Sequence, residues 1–272
     1  MPMGRVDNDA RTQLAAVDAL VTTFPFEIIV SMNAAEPAQL SDLAAAIATM
    51  SRPVRIIDSS DRRGAPHARN VGAAAAIAPI LAFCDSDDIV RPDWLQKLVD
   101  GLIGYEAVGG HLEEFGPDAS VEGVRPPVTP GELPTYLGVP YVVSASLAIS
   151  REWFDKVGGF DATLHRCEDI AIGWDIIRAG GRLGFIPDAI VDYRTRNDLK
   201  TLLKQQYHYG IGMSQVLERR GVPPYNGQER KVSMFAANKQ AGGKGSWLRH
   251  VRRSFIAAGR LQGLVTEKLA RR

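Results

Sequence analysis

An α/β fold, with a mostly parallel sheet flanked by helices, is the class this sequence predicts. Three observations carry it: hydrophobic spacing alternates between strand and helix periods, three strands are each separated from the next by a helix, and acids crowd the end of the third strand. Leu14, Val17, Leu20 and Val21 recur at helical spacing, in a helix entered at about Asp9. "FEIIV" (Phe26–Val30) then reads as a short buried strand. Leu40, Leu43, Ala44 and Ile47 return to the helical period, and "VRII" (Val54–Ile57) is the next strand. Pro66 opens "PHARNVGAAAAIA" in a first turn, where its missing N–H costs little, and "ILAFC" (Ile80–Cys84) follows as the third strand. Ligands of such sheets bind beyond the carboxyl ends of the strands, which is where Asp85, Asp87 and Asp88 fall.

The downstream half is mixed in character. "AVGG" and "YVVSASLAIS" read as strands, "REWFDKV" as a short helix closed by Gly158 and Gly159, and "EDIAIGWDIIRAGG" as a helix that opens on two acids and stops at paired glycines. "RLGFI" and "AIVDYRTR" follow as strands, then a helix through "DLKTLLKQQYHYG". "GVRPPVTPGELP" (Gly123–Pro134) reads as a long surface loop and "RRGVPPYNGQ" (Arg219–Gln228) as a linker. The organisation expected is a main domain over 1–218, divided into halves 1–104 and 105–218, with a linker and basic tail over 219–272.

Composition excludes several classes. At 272 residues, 45% hydrophobic and 23% charged, the chain has the make-up of a soluble globular protein. Two cysteines, Cys84 and Cys167, are too few for a disulfide scaffold and point to a reducing cytoplasm. No run approaches the roughly 20 apolar residues of a membrane span. A net charge of +1 hides an asymmetry: from Arg230 onward eleven Lys and Arg face the single acid Glu267, so the remainder is net acidic. From Ser246 to Leu269, Trp247, Leu248, Val251, Phe255, Ala258, Leu261, Leu264 and Val265 fall near one helical face, with Arg249, Arg252, Arg253 and Arg260 on its flanks. Two readings fit: a helix lying on anionic lipid, or one docked on the protein with its basic side in water. Nucleic acid is not an expected partner.

Acids as close as Asp85, Asp87 and Asp88 repel one another unless a cation or hydrogen-bond donors answer them. A carboxylate pair at a strand end suits Mg2+ or Mn2+, which prefer oxygen ligands and take the rest of their shell from phosphate or water. The alternative is that these are turn and capping acids ahead of "RPDWLQKLV", as Asp88 or Asp93 would be.

"ARNVGAAAAIAPILAFCDSDD" resembles the core of the family 2 glycosyltransferases, whose GT-A fold is a Rossmann-type sheet. "SASLAISREWFDKVGGFDATL" is similar to the family's acceptor-side segment, and "CEDIAIGWDIIRAGGRLGFIPDAIVDYRTR" to its acidic helix and the strand after it. The match is ordered from about Asp9 to Gly212.

The resemblance implies a metal-dependent, inverting transfer of a sugar from a UDP-, GDP- or dTDP-linked donor to a glycan or lipid-linked acceptor, in glycan, glycolipid or cell-envelope synthesis. It implies Asp85 at the nucleotide, Asp87 with Asp85 on the Mn2+ or Mg2+, and Asp169 as general base with Glu168 beside it. Arg69, Asn70, Ser31, Asn33 and Asp58 complete the donor-binding set. Trp153, Trp174, Gly158 and Gly159 fall on the acceptor side, though core packing explains the tryptophans equally well. Two rivals remain: a family member that binds without turnover, and a nucleotidyltransferase, whose glycine-rich basic loop is not seen here. Two features depart from the family: Ser31, Met32 and Asn33 stand where relatives carry acids, and only "MPMGRVDND" precedes the first helix. The first strand of the sheet is therefore expected to be missing, leaving a slot that "MPMGRV" fills only in part, and an N-terminally extended chain is expected to be the more stable.

Overall fold

The structure is a computed structural model, and it describes residues 1–33, 36–115, 131–164, 166–194, 199–225 and 246–270. The first half runs β1 (Pro2–Met3), α1 (Asn8–Asp18), β2 (Ile28–Met32), α2 (Pro37–Ile47), β3 (Val54–Asp58), α3 (Ala65–Ala75), β4 (Ile80–Cys84), β5 (Ile89–Val90) and α4 (Trp94–Gly101). The second runs β6 (Ala107–Phe115), β7 (Thr135–Tyr136), β8 (Val139–Pro140), β9 (Ser146–Ser150), α5 (Arg151–Lys156), α6 (Glu168–Arg178), β10 (Leu183–Arg194), α7 (Leu199–Arg220) and α8 (Ser246–Ala270).

Local chemistry explains the boundaries. The Asp7 carboxylate accepts from the Ala10 N–H at 3.0 Å and starts α1. Gly64, at φ 132°, makes the turn that lets Pro66 open α3. The two strands expected in "RLGFI" and "AIVDYRTR" are one, β10, with its register against β6 broken between Ile186 and Ile190. Pro187, which has no N–H to donate, sits in that break.

Of the three strands expected to form one parallel sheet, β2 and β3 pair in parallel, with β1 on the other edge of β2, but β4 does not join them and runs antiparallel to β9. A second, five-stranded sheet has the order β4-β9-β6-β10-β5 and is mixed: only β6 and β10 are parallel. β5 follows β4 too closely for a crossover, so it pairs antiparallel with β10 instead. The strand expected to be missing is present as a two-residue stub: Pro2 pairs with Ser31 and Met3 with Met32. Ser31 and Asn33 donate their N–H groups to the carbonyls of Met1 and Met3 at 3.0 and 2.8 Å. Among the described residues the pairing ends there, and β4 ladders only with β9. Buried Gln13 of α1 stitches across instead, donating to the Asp85 carbonyl and accepting from the Val90 N–H, both at 3.0 Å.

Helices α7 and α8 run in the same direction and meet backbone to backbone. A Cβ on Gly210 would collide with the Ile256 carbonyl, and one on Gly259 with that of Tyr207. The tail is thus docked, and two expectations change. Arg219 and Arg220, placed in a linker by sequence, form the last turn of α7 and pair with Glu267, Asp161 and Asp175. Arg260, expected on a solvent flank, points inward over the Tyr136 ring at 5.6 Å. The side chains of Trp247, Leu248 and Arg249 lie outside the described residues.

Candidate active site

The ends of β4 and β10, the start of α6 and one face of α7 enclose a cavity of about 450 Å³. Arg69 organises it. The side chain leaves the second turn of α3, is almost fully buried, and donates to Asp85 Oδ1 at 2.5 Å and to Glu168 Oε1 at 2.8 Å. Burial works against its charge, but Asp85 and Glu168 more than offset that and raise its pKa. One guanidinium thus joins the end of the sheet to the start of a helix nearly a hundred residues away.

Asp169 sits beside this bridge with its Oδ1 accepting from the Ile170 N–H at 2.8 Å. Burial, and then the neighbouring Glu168 carboxylate, push its pKa up to about 7. The residue before the pair, Cys167, holds φ 65°, a left-handed conformation uncommon for a side chain of this kind. That turn admits both acids to the first turn of α6, where the helix dipole favours negative charge. Burial raises the Cys167 and Cys84 thiol pKa values and keeps both groups protonated at neutral pH.

Backbone and side chain of Arg194, at the end of β10, answer the other acids. Its N–H donates to Asp88 Oδ1 at 2.9 Å, its Nε to the Asp87 carbonyl at 3.2 Å, and its guanidinium pairs with Asp9 at 3.0 Å. One carboxylate oxygen from each of Asp85, Asp87 and Asp88 lies within 4.8 Å of the others. An oxygen-only donor set this compact, with Asp87 exposed at the cavity, fits a hard divalent cation such as Mn2+ or Mg2+.

Of the residues expected at the site, Asn33, Arg69, Asp85, Asp87, Glu168 and Asp169 line this cavity. Asn33 is a clamp at its rim, donating to the Ser59 and Arg62 carbonyls at 2.7 Å and accepting from the Gly64 N–H at 2.6 Å. The others lie elsewhere. Ser31 is buried against the Ser59 hydroxyl, and Asp58 holds the Ser60 N–H at the end of β3. Asn70 brackets the backbone of Phe160, whose ring lies under the Arg69 guanidinium at 5.5 Å, donating to its carbonyl at 2.7 Å and accepting from its N–H at 2.9 Å. Trp174 is wholly buried and stacked on Tyr136, while Trp153 packs under Lys156 and against Gly181. Gly158 and Gly159 take positive φ in the turn after α5, and a Cβ on Gly159 would press on Asn70 and Phe154. These two glycines serve the turn, and both tryptophans the core.

That placement gives a first testable outcome. Asn70→Ala removes both bonds to Phe160 and is expected to cost about 1–3 kcal/mol, lowering the melting temperature by about 2–4 °C per kcal/mol. Donor affinity measured by calorimetry is expected to stay unchanged; a loss of affinity at unchanged stability would return Asn70 to the site.

Sequence reading missed Gln205 and Tyr209, which enter the cavity from α7, with Gln205 Nε2 donating to the Tyr209 hydroxyl at 3.1 Å. Their four-residue spacing puts both on one helical face, a signal present in "QQYHY". Arg166, Tyr193 and the turn Val143–Ala145 also line the cavity and carried no comparable signal.

Fold and cavity together define an α/β protein of the GT-A type with a cleft of acids at its strand ends. Glycosyl transferase family 2 matches residues 9–158, more than half of the chain, and Glycosyl transferase family group 2 matches 135–264. The chain belongs to glycosyl transferase family 2. Among curated proteins, the pre-mycofactocin glycosyltransferase of Mycobacterium tuberculosis (strain ATCC 25618 / H37Rv) is 30% identical over 194 residues, 67% of this chain and 40% of that protein. Human polypeptide N-acetylgalactosaminyltransferase 15 is 21% identical over 227 residues, 69% of this chain and 33% of that protein. The chain therefore spans less than half the length of these relatives. Among solved structures, a mannosyltransferase from Pyrobaculum calidifontis in complex with GDP-Man and Mn2+ superposes with TM-score 0.63 at 17% identity, over 99% of this chain and 72% of that one. Residues 1-349 of S. aureus TarS in complex with UDP-GlcNAc give 0.57 at 14% identity, over 80% and 69%.

Proposed function

We propose that this protein is a metal-dependent, inverting glycosyltransferase that moves a sugar from a UDP-, GDP- or dTDP-linked donor to the hydroxyl of a glycan or lipid-linked acceptor, in glycan, glycolipid or cell-envelope synthesis. The observation that carries the reading is the Arg69 bridge, which brings Asp85 at the end of β4 and the Glu168–Asp169 pair of α6 to one cavity. Complexes of fold neighbours with GDP-Man and Mn2+ and with UDP-GlcNAc support a nucleotide-sugar donor and a divalent cation. Two free, buried cysteines suit a cytoplasmic setting.

Each residue has a task that its environment favours. Asp85, fixed by Arg69, faces the nucleoside, and Asp87 with Asp85 would hold the cation against the donor diphosphate. When bound, the cation supplies Lewis-acid stabilisation of charge on the leaving diphosphate. Asp169 takes the acceptor hydroxyl proton as the new bond to the anomeric carbon forms and the bond to the diphosphate oxygen breaks. Its raised pKa suits that role, because a carboxylate titrating near neutrality is a stronger base and still largely ionised above it.

Titration with UDP-, GDP- and dTDP-sugars, with and without Mn2+, tests the assignment. Asp87→Asn is expected to abolish the Mn2+-dependent part of donor binding without loss of folding, since the side chain is exposed and keeps its shape. Unchanged affinity and unchanged Mn2+ dependence would exclude Asp87 as a ligand.

A further inference from the structure

The helix pair α7–α8 carries a second surface. Leu199, Leu203 and Tyr207 of α7 and Phe255 of α8 line an apolar groove of about 630 Å³, flanked by Lys200 and Lys204. Along α8 the apolar surface continues outward: Leu261, Val265 and Leu269 are 65%, 47% and 64% exposed, at the four-residue step of one helical face. The opposite face, with Ile256, Gly259 and Gly263, is the one pressed on α7.

Charge around this surface is predominantly positive, with Glu218 the one acid on the α7 face of Lys200 and Tyr207. The described parts of α7 and α8 hold only two acids, Glu218 and Glu267. Glu267 is turned inward, accepting from Arg219 at 2.6 Å and from Gln215 at 3.3 Å. Against them stand Lys200, Lys204, Arg253 and Lys268.

We propose that the groove and the outer face of α8 dock this protein on an anionic lipid bilayer, with α8 lying in the headgroup plane. The apolar strip reaches the acyl boundary while Lys and Arg meet lipid phosphates, the arrangement of an interfacial helix. No described helix is long and apolar enough to cross a membrane, so the contact lies on the surface. A second copy of the chain fits less well, because it would set the same cations against themselves.

The inference does not rest on sugar transfer, and its test reads binding alone. The full chain is sedimented with vesicles of phosphatidylglycerol and phosphatidylcholine, and with phosphatidylcholine alone. Binding is expected on the anionic vesicles, with a loss of about tenfold or more on neutral vesicles, in L261E/V265E/L269E or in K200E/K204E. High salt is expected to weaken it as well. Melting temperature and donor affinity should be unchanged in both variants, since every altered side chain lies outside the acid-lined cavity. Absence of binding to anionic vesicles, or equal binding by wild type and the triple variant, would overturn the proposal. So would self-association that the triple variant abolishes in a protein that ignores vesicles.

Discussion

Asp169→Asn is expected to lower sugar transfer by about 10²–10⁴-fold while leaving donor affinity in place, the usual worth of a positioned general base. The substitution keeps the shape of the side chain and every contact of Arg69. In the wild type, transfer is expected to rise with pH as the Asp169 proton is lost near pH 7, and the residual rate of the variant to lack that rise. The same group has a consequence for stability. Its folded-state pKa lies above that of the unfolded chain, so the folded protein holds the extra proton, and stability falls as pH rises from about 4 towards 7. Asp169→Asn should remove that loss, giving a less active protein that is more stable at pH 8, a trade common at active sites. Near-normal transfer by the variant would leave Asp169 a helix-end acid and nothing more.

Arg69→Met is expected to be the most destabilising single change at the site, by about 3–5 kcal/mol at pH 7. It leaves Asp85 and Glu168, with side chains 29% and 12% exposed, without the cation that both share. Denaturant unfolding at pH 7 measures this; a variant within about 1 kcal/mol of wild type would show that the bridge adds little.

Much of this site is legible in sequence because it sits at the ends of elements. Asp85 follows a run whose strand character is plain, and Glu168 and Asp169 open a helix with a clear apolar period. Asn70 shows the limit. It adjoins Arg69, yet successive helical residues point about a hundred degrees apart, so one reaches the acids and the other braces Phe160. Trp153 and Trp174 resemble binding aromatics in composition, and only their packing partners reveal them as core. The two-residue β1 carries no hydrophobic period at all and becomes visible only through its ladder to β2. Gln13 was hidden for a related reason: a polar residue on the apolar side of a helix acquires meaning only when the backbone groups it satisfies are known.

The backbone contact between α7 and α8 bears on how the cavity keeps its shape. Side chains at most helix interfaces act as springs, taking up small shifts through rotamer changes; at Gly210 and Gly259 there are no such springs. The two helices are in effect one stiff beam. Gln205 and Tyr209 are mounted on that beam, so their distance from Asp169 across the cavity is gauged by residues of α8 that do not line it. Enlarging either glycine would reach the chemistry as a change of alignment, delivered from the far side of the wall.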